Sequence, residues 1–178
     1  LLSTRDMLIS QVYKSLSFGT KNLLLKSNIG ATTTENLVKS YTMTEDFIEG
    51  ADYTLTVKGK LAENQAFGVY QNGYKNLVGI MEKNETTGLY SLTFKSLATQ
   101  SGYERTLLIY NTPFSTKTSA TIDWGQLEKG SVGSDYKQAP EDVEKDIDQR
   151  MGTDRWIVNK YEATTAAVVQ PSNLISIQ

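Results

Sequence analysis

The run Thr121–Val143, TIDWGQLEKGSVGSDYKQAPEDV, carries a strand into a turn and then into a helix. Thr121, Ile122 and Trp124 favour extended backbone, Leu127 adds an apolar anchor, and Lys129-Gly130-Ser131 forces the chain to turn. Pro140 suits the first position of a helix, where Glu141 and Asp142 set negative charge against its positive end. Val143, Ile147 and Met151 then recur every four residues, so an amphipathic helix leaves a β domain here. On this phase Trp124 shares the buried side of its strand with Ile122.

Upstream the pattern stays β. From about Val38 to Gly130 short alternating runs are separated by turn clusters, which predicts an antiparallel sandwich or barrel. Strands are expected near 37–43, 52–61, 66–71, 74–83, 89–96, 103–111 and 117–127, with Tyr53, Leu55, Phe67, Tyr90, Phe94, Leu108 and Ile122 in the shared core. Asn72-Gly73 between two apolar runs signals a hairpin. At the N-terminus, Ser3-x-x-Asp6 has the form of a capping box, followed by Leu8, Val12 and Leu16 at four-residue spacing until Gly19 ends the helix. Past Met151-Gly152, Arg155–Asn159 and Ala166–Val169 read as further strands. The organisation is therefore a connector helix over 1–20, a β-sandwich over 21–140, and over 141–178 an exit helix and the start of a following segment. Without a leading Met, the chain reads as a piece of something longer.

Trp124-x-x-Leu127-Glu128-Lys129-Gly130-Ser131, followed by a short loop and Ala139-Pro140-Glu141-Asp142-Val143, resembles the closing strand and exit of carbohydrate-binding-module-like jelly rolls in phage tail fibres, tailspikes and baseplates. Asn22-Leu23-Leu24-Leu25-Lys26-Ser27 looks like the opening of the same modules, and Asp52–Gly59 like their first long core strand. The resemblance covers residues 22–143. It implies a jelly-roll β-sandwich of two antiparallel sheets with short flanking helices, a place in a virion acting outside the cell, cell-surface carbohydrate and other tail subunits as partners, and a homotrimeric assembly. It also leaves room for a structural calcium, which sugar-binding jelly rolls often hold.

Composition narrows the chemistry. Lysine and arginine number 18 against 20 acidic residues in 178, so no cationic field draws in nucleic acid. No apolar stretch reaches the length that crosses a membrane as a helix. Zero cysteine excludes disulfides and thiolate nucleophiles, and zero histidine removes the usual general base and the commonest metal ligand. No phosphate-binding loop, EF-hand or zinc spacing is present. No catalytic residues are assigned, and no metal ligands.

Binding remains. Ten tyrosines and two tryptophans supply amphipathic aromatic surface of the kind that lies against a sugar ring. Tyr70, Gln71, Asn72 and Tyr74 concentrate aromatic and amide groups at one hairpin, and Tyr110 stands at a nearby strand end; these form the candidate ligand site. The competing reading makes Tyr70 and Tyr74 a cross-strand aromatic pair beside a tight turn. The functional expectation is a non-catalytic adhesion module, with a structural virion spacer or the accessory module of a glycan-degrading enzyme as alternatives. The paired helical seams, Leu8, Val12 and Leu16 with Val143, Ile147 and Met151, are expected to meet copies of themselves.

Overall fold

A computed structural model describes residues 3–9 and 20–151. Among the described residues nine strands form: β1 (Ala31–Thr33), β2 (Leu37–Thr42), β3 (Asp52–Lys60), β4 (Ala66–Gln71), β5 (Asn76–Ile80), β6 (Glu82–Lys83), β7 (Tyr90–Lys95), β8 (Thr106–Thr112) and β9 (Ala120–Lys129). They make a five-stranded sheet in the order β1-β9-β3-β7-β6 and a four-stranded sheet in the order β2-β8-β4-β5. Every pairing is antiparallel. Apart from the β4–β5 hairpin and the β6–β7 pair, successive strands cross from one sheet to the other, which is the winding of a jelly-roll sandwich. The expected segment 74–83 divides at buried Met81, where the chain leaves one sheet as β5 and enters the other as β6.

The core lies between the sheets. Tyr53, Leu55 and Val57 of β3 face Phe67 and Val69 of β4 and Leu107 and Ile109 of β8, all fully buried. Burying each such side chain contributes about 1.5–3 kcal/mol. Tyr53 stacks near Phe94 with ring centroids 6.0 Å apart, meets Phe47 edge-on at 5.1 Å, and spends its hydroxyl on the Ile48 amide, which donates at 3.0 Å. Tyr53, Leu55, Phe67, Tyr90, Phe94 and Ile122 sit in the core as their spacing predicts.

Leu108 does not. Leu107 and Ile109 point inward, so Leu108 and Tyr110 lie on the outer face. Because side chains alternate, a one-residue error of phase exchanges both faces. Trp124 is a second correction. The pairing shifts between Lys58 and Gly59, so that Lys58 lies opposite Trp124 and Gly59 opposite Ile122, leaving Asp123 as the extra residue of a bulge. Before the bulge Ala120 and Ile122 face the core; after it Gly125 and Leu127 do. Trp124 therefore leaves the Ile122 face and stacks half-buried on Tyr136 at 4.3 Å.

Gly59 is required at this bulge. A Cβ there would stand 2.2 Å from the Thr121 carbonyl oxygen, a backbone atom that cannot swing aside. Gly59→Ala is expected to lower stability by about 2 kcal/mol in urea titration, because β3 and β9 must part to admit the methyl group. A loss near zero would mean that the strands close less tightly than described.

The outer face of the five-stranded sheet is covered by the segment after β9. Gln126 and Glu128 point outward yet are fully buried. Gln126 donates to Ser134 O at 2.9 Å and accepts from Lys137 N at 2.8 Å. Glu128 accepts from the Thr20 hydroxyl at 2.8 Å, from the Ser134 amide at 2.9 Å and from the Ser134 hydroxyl, with the Lys137 ammonium 3.4 Å away. Asn22 ties the two ends of the domain together: its amide donates to Ser27 Oγ, Gly125 O and Lys137 O, and its Oδ1 accepts from Leu24 N and Leu127 N. The stretches 22–27 and 124–143 meet in this strap.

The four sheet margins are all irregular. β1 has three residues and β6 two, while bulges interrupt β2 at Leu37/Lys39 and the β4–β5 ladder at Val69/Tyr70.

Residues 20–142 belong to the sandwich unit; 3–9 and 143–151 belong to a second unit. Helices occupy 4–9 and 140–151. Ser3 Oγ accepts from the Asp6 amide at 3.1 Å, as the capping motif predicts. Within a single chain Ile147 and Met151 are already buried, so that half of the seam has cover without a second copy, whereas Leu8 is exposed. Val12, Leu16 and the strands expected at 155–159 and 166–169 lie outside the described residues.

Candidate functional site

Among the described residues no strap covers the outer face of the four-stranded sheet. Its outward positions follow from the register: Leu37, Ser40 and Thr42 on β2; Thr106, Leu108, Tyr110 and Thr112 on β8; Ala66, Gly68 and Tyr70 on β4; Leu77 and Ile80 on β5. None is charged. In a chain with 21% charged residues, such a face is unusual for plain solvated surface.

Three of the sequence-predicted residues meet on it. Tyr70 and Tyr74 stack at 5.5 Å with planes 16° apart, and Tyr110 stands edge-on to Tyr70 at 5.0 Å and 5.4 Å from Tyr74. Phe114, which the sequence reading did not single out, completes the group 5.7 Å from both Tyr74 and Tyr110. The three tyrosines thus form the cross-strand cluster of the bland reading and, at the same time, an accessible aromatic platform. Tyr70, Tyr110 and Phe114 are half-buried; Tyr74 is 58% exposed and lies outermost. Gly68, opposite Tyr110, contributes no side chain, and the Thr112, Tyr70 and Ile80 side chains close over it, so that a Cβ there would stand 3.0 Å, 3.3 Å and 3.6 Å from them. Burial, and then the Tyr74 phenol, raise the Tyr70 pKa; burial, Tyr74 and Tyr70 do the same for Tyr110. Both stay protonated at neutral pH, as hydroxyls able to donate and accept.

Gln71 and Asn72 are turned away from this face. Gln71 is fully buried, donating to Ser96 Oγ at 2.9 Å and accepting from Leu97 N at 2.8 Å. Asn72 is also buried; its amide donates to Asn76 Oδ1 and Ala98 O, and its Oδ1 accepts from Gln100 N at 2.7 Å. With positive φ at Asn72 and Gly73, the turn needs these bonds to hold its shape. They position Tyr74 and reach no ligand.

Chemistry elsewhere is structural. Ser134 and Lys137 bring a hydroxyl and an amine to 2.8 Å, a spacing suited to a nucleophile and its base. Buried Glu128 engages both, accepting from the Ser134 hydroxyl and pairing with Lys137 at 3.4 Å. Glu45 is engaged by Lys129 at 2.6 Å and Lys21 at 3.8 Å. Among the described residues no three acidic side chains converge on one point, so a calcium would rest chiefly on carbonyl oxygens. No helix among them is long and apolar enough to cross a membrane.

No family model, curated protein or solved structure matches the chain.

Proposed function

We propose that the chain is a non-catalytic carbohydrate-binding module, serving attachment to host cell-surface glycan within a phage tail fibre, tailspike or baseplate. The observation that carries the sugar reading is the aromatic platform of Tyr70, Tyr74, Tyr110 and Phe114 on an uncharged, uncovered sheet face. Pyranose rings present flat C–H faces that pack on such rings while their rims take hydrogen bonds from phenol hydroxyls. The phage setting draws on the motifs at 22–27 and 124–143. Display in several copies would raise a weak single-site affinity by avidity.

The test is a glycan array and a host-cell-wall pull-down with multivalent protein, comparing wild type with Tyr70→Ala/Tyr74→Ala. Binding is expected to fall below detection. The melting temperature should drop by about 4–8 °C with the fold retained, because the variant removes four ring pairs, Tyr70 with Tyr74 and Tyr110 and Tyr74 with Tyr110 and Phe114, worth about 0.5 kcal/mol each on an open face. If no glycan binds and the same double variant instead breaks up an oligomer, the face is a docking surface between subunits, the virion-spacer reading.

A further inference from the structure

The platform is partly occupied by one of its own residues. Nearly parallel rings in contact lie about 3.5 Å apart in height, so a centroid distance of 5.5 Å between Tyr70 and Tyr74 means a sideways offset of about 4 Å. Tyr74 therefore stands beside and above the edge of the Tyr70 ring, in the space that a second ring centred on Tyr70 would have to enter. Its ring also meets Tyr110 at 5.4 Å and Phe114 at 5.7 Å, touching all three half-buried members, while it remains the most exposed of the four. Tyr70, Tyr110 and Phe114 form the base, and Tyr74 sits where a sugar ring would sit.

Its anchorage permits departure. The backbone of the turn is pinned by the Asn72 amide and by Tyr103, which packs against Gly73. Nothing in those bonds fixes the Tyr74 side chain, whose stacking contacts alone hold it down. A rotation about χ1 uncovers Tyr70 without moving the turn, on the ps–ns timescale of exposed side chains.

Building on the carbohydrate reading, we propose that Tyr74 is a displaceable ring that fills the binding site in the free protein, and that the ligand is an uncharged pyranose that takes its place on Tyr70. The absence of charge at every outward position of the sheet sets the ligand class: uronic and sialic acids would find no cation on the strands of this face to meet their carboxylates. A neutral hexose loses nothing on that face. Because the ligand must first displace a stacked ring, its apparent affinity is reduced by the fraction of time the site stands open.

The experiment uses neutral oligosaccharides (cello-, manno- and galacto-series) and oligogalacturonate as the acidic probe, titrated calorimetrically into wild type, Tyr74→Ala, Tyr74→Phe and Tyr70→Ala. Tyr74→Ala is expected to bind a neutral probe about tenfold more tightly than wild type, the gain when three ring contacts of about 0.5 kcal/mol each no longer have to be broken. Tyr74→Phe, which keeps a ring in place, should show none of the gain seen with Tyr74→Ala, Tyr70→Ala should not bind, and oligogalacturonate should bind to none. Weaker binding by Tyr74→Ala would make Tyr74 an ordinary contact and overturn the displacement while leaving the carbohydrate reading in place. Preference for oligogalacturonate would overturn the neutral class. Failure of every sugar with every variant would remove the carbohydrate reading itself.

Discussion

Asn22→Ala is expected to cost about 3–5 kcal/mol of unfolding free energy, the largest single loss in the domain. The side chain is fully buried and serves five partners drawn from three stretches of chain: Ser27 and Leu24 near it, Gly125 and Leu127 on β9, and Lys137 in the strap. Alanine leaves two amides and two carbonyls without these bonds, and each buried polar group left unmade costs about 1–3 kcal/mol, reduced where water enters. Asn22→Asp makes the sharper comparison. It keeps the acceptor for Leu24 N and Leu127 N but turns a negative oxygen toward the carbonyls of Gly125 and Lys137, so it should be no better than alanine. Urea unfolding at neutral pH reads both variants; losses under about 1 kcal/mol would show that the strap closes without this residue.

Glu128→Ala should cost about 3 kcal/mol at pH 7, and that cost should shrink in acid. The carboxylate is fully buried. Desolvation alone would raise its pKa, but the hydroxyl and amide of Ser134, the Thr20 hydroxyl and the Lys137 ammonium outweigh burial and lower it from 4.5. Hydrogen bonds to a charged group contribute about 1.5–3 kcal/mol each when buried. Since the folded pKa lies below the unfolded one, the stabilisation is complete above about 4.5 and disappears as the pH falls through the lower, folded value. The wild-type advantage over Glu128→Ala, followed by urea midpoints from pH 7 downward, should therefore hold to about pH 4.5 and decline below it. An advantage independent of pH would place the carboxylate's contribution in packing rather than charge.

Much of the sandwich was legible because strands such as β3 and β7 carry polar residues on one face. Tyr53, Leu55 and Val57 alternate with Thr54, Thr56 and Lys58, and Tyr90 with Phe94 repeats the pattern, so phase followed from polarity. In β8 that signal fails: Leu107-Leu108-Ile109-Tyr110 is apolar on both sides because its outer face carries the aromatic platform. Trp124 misled for a different reason, since the bulge at Asp123 changes phase within one strand and leaves no mark in composition. β1, three residues in a threonine-rich stretch, exists only through its pairing with β9. At the site, the tyrosines were found from clustering along the chain, but Phe114 joins them only by folding back after β8. Gln71 and Asn72 look like ligand amides in sequence because residue type does not say which way a turn's side chains point; their burial reverses that reading.

The irregular margins of both sheets bear on how the protein behaves when crowded. An open sheet edge offers unpaired amides and carbonyls to any neighbouring chain, and long flat edges template aggregation. Here β1 and β6 are too short to extend a ladder, while the bulges in β2 and at the β4–β5 pairing twist the other two margins out of register. Copies held side by side at high local concentration are thereby kept from merging strand to strand, and an apolar face can stay open to solvent without the module becoming a seed for fibrils.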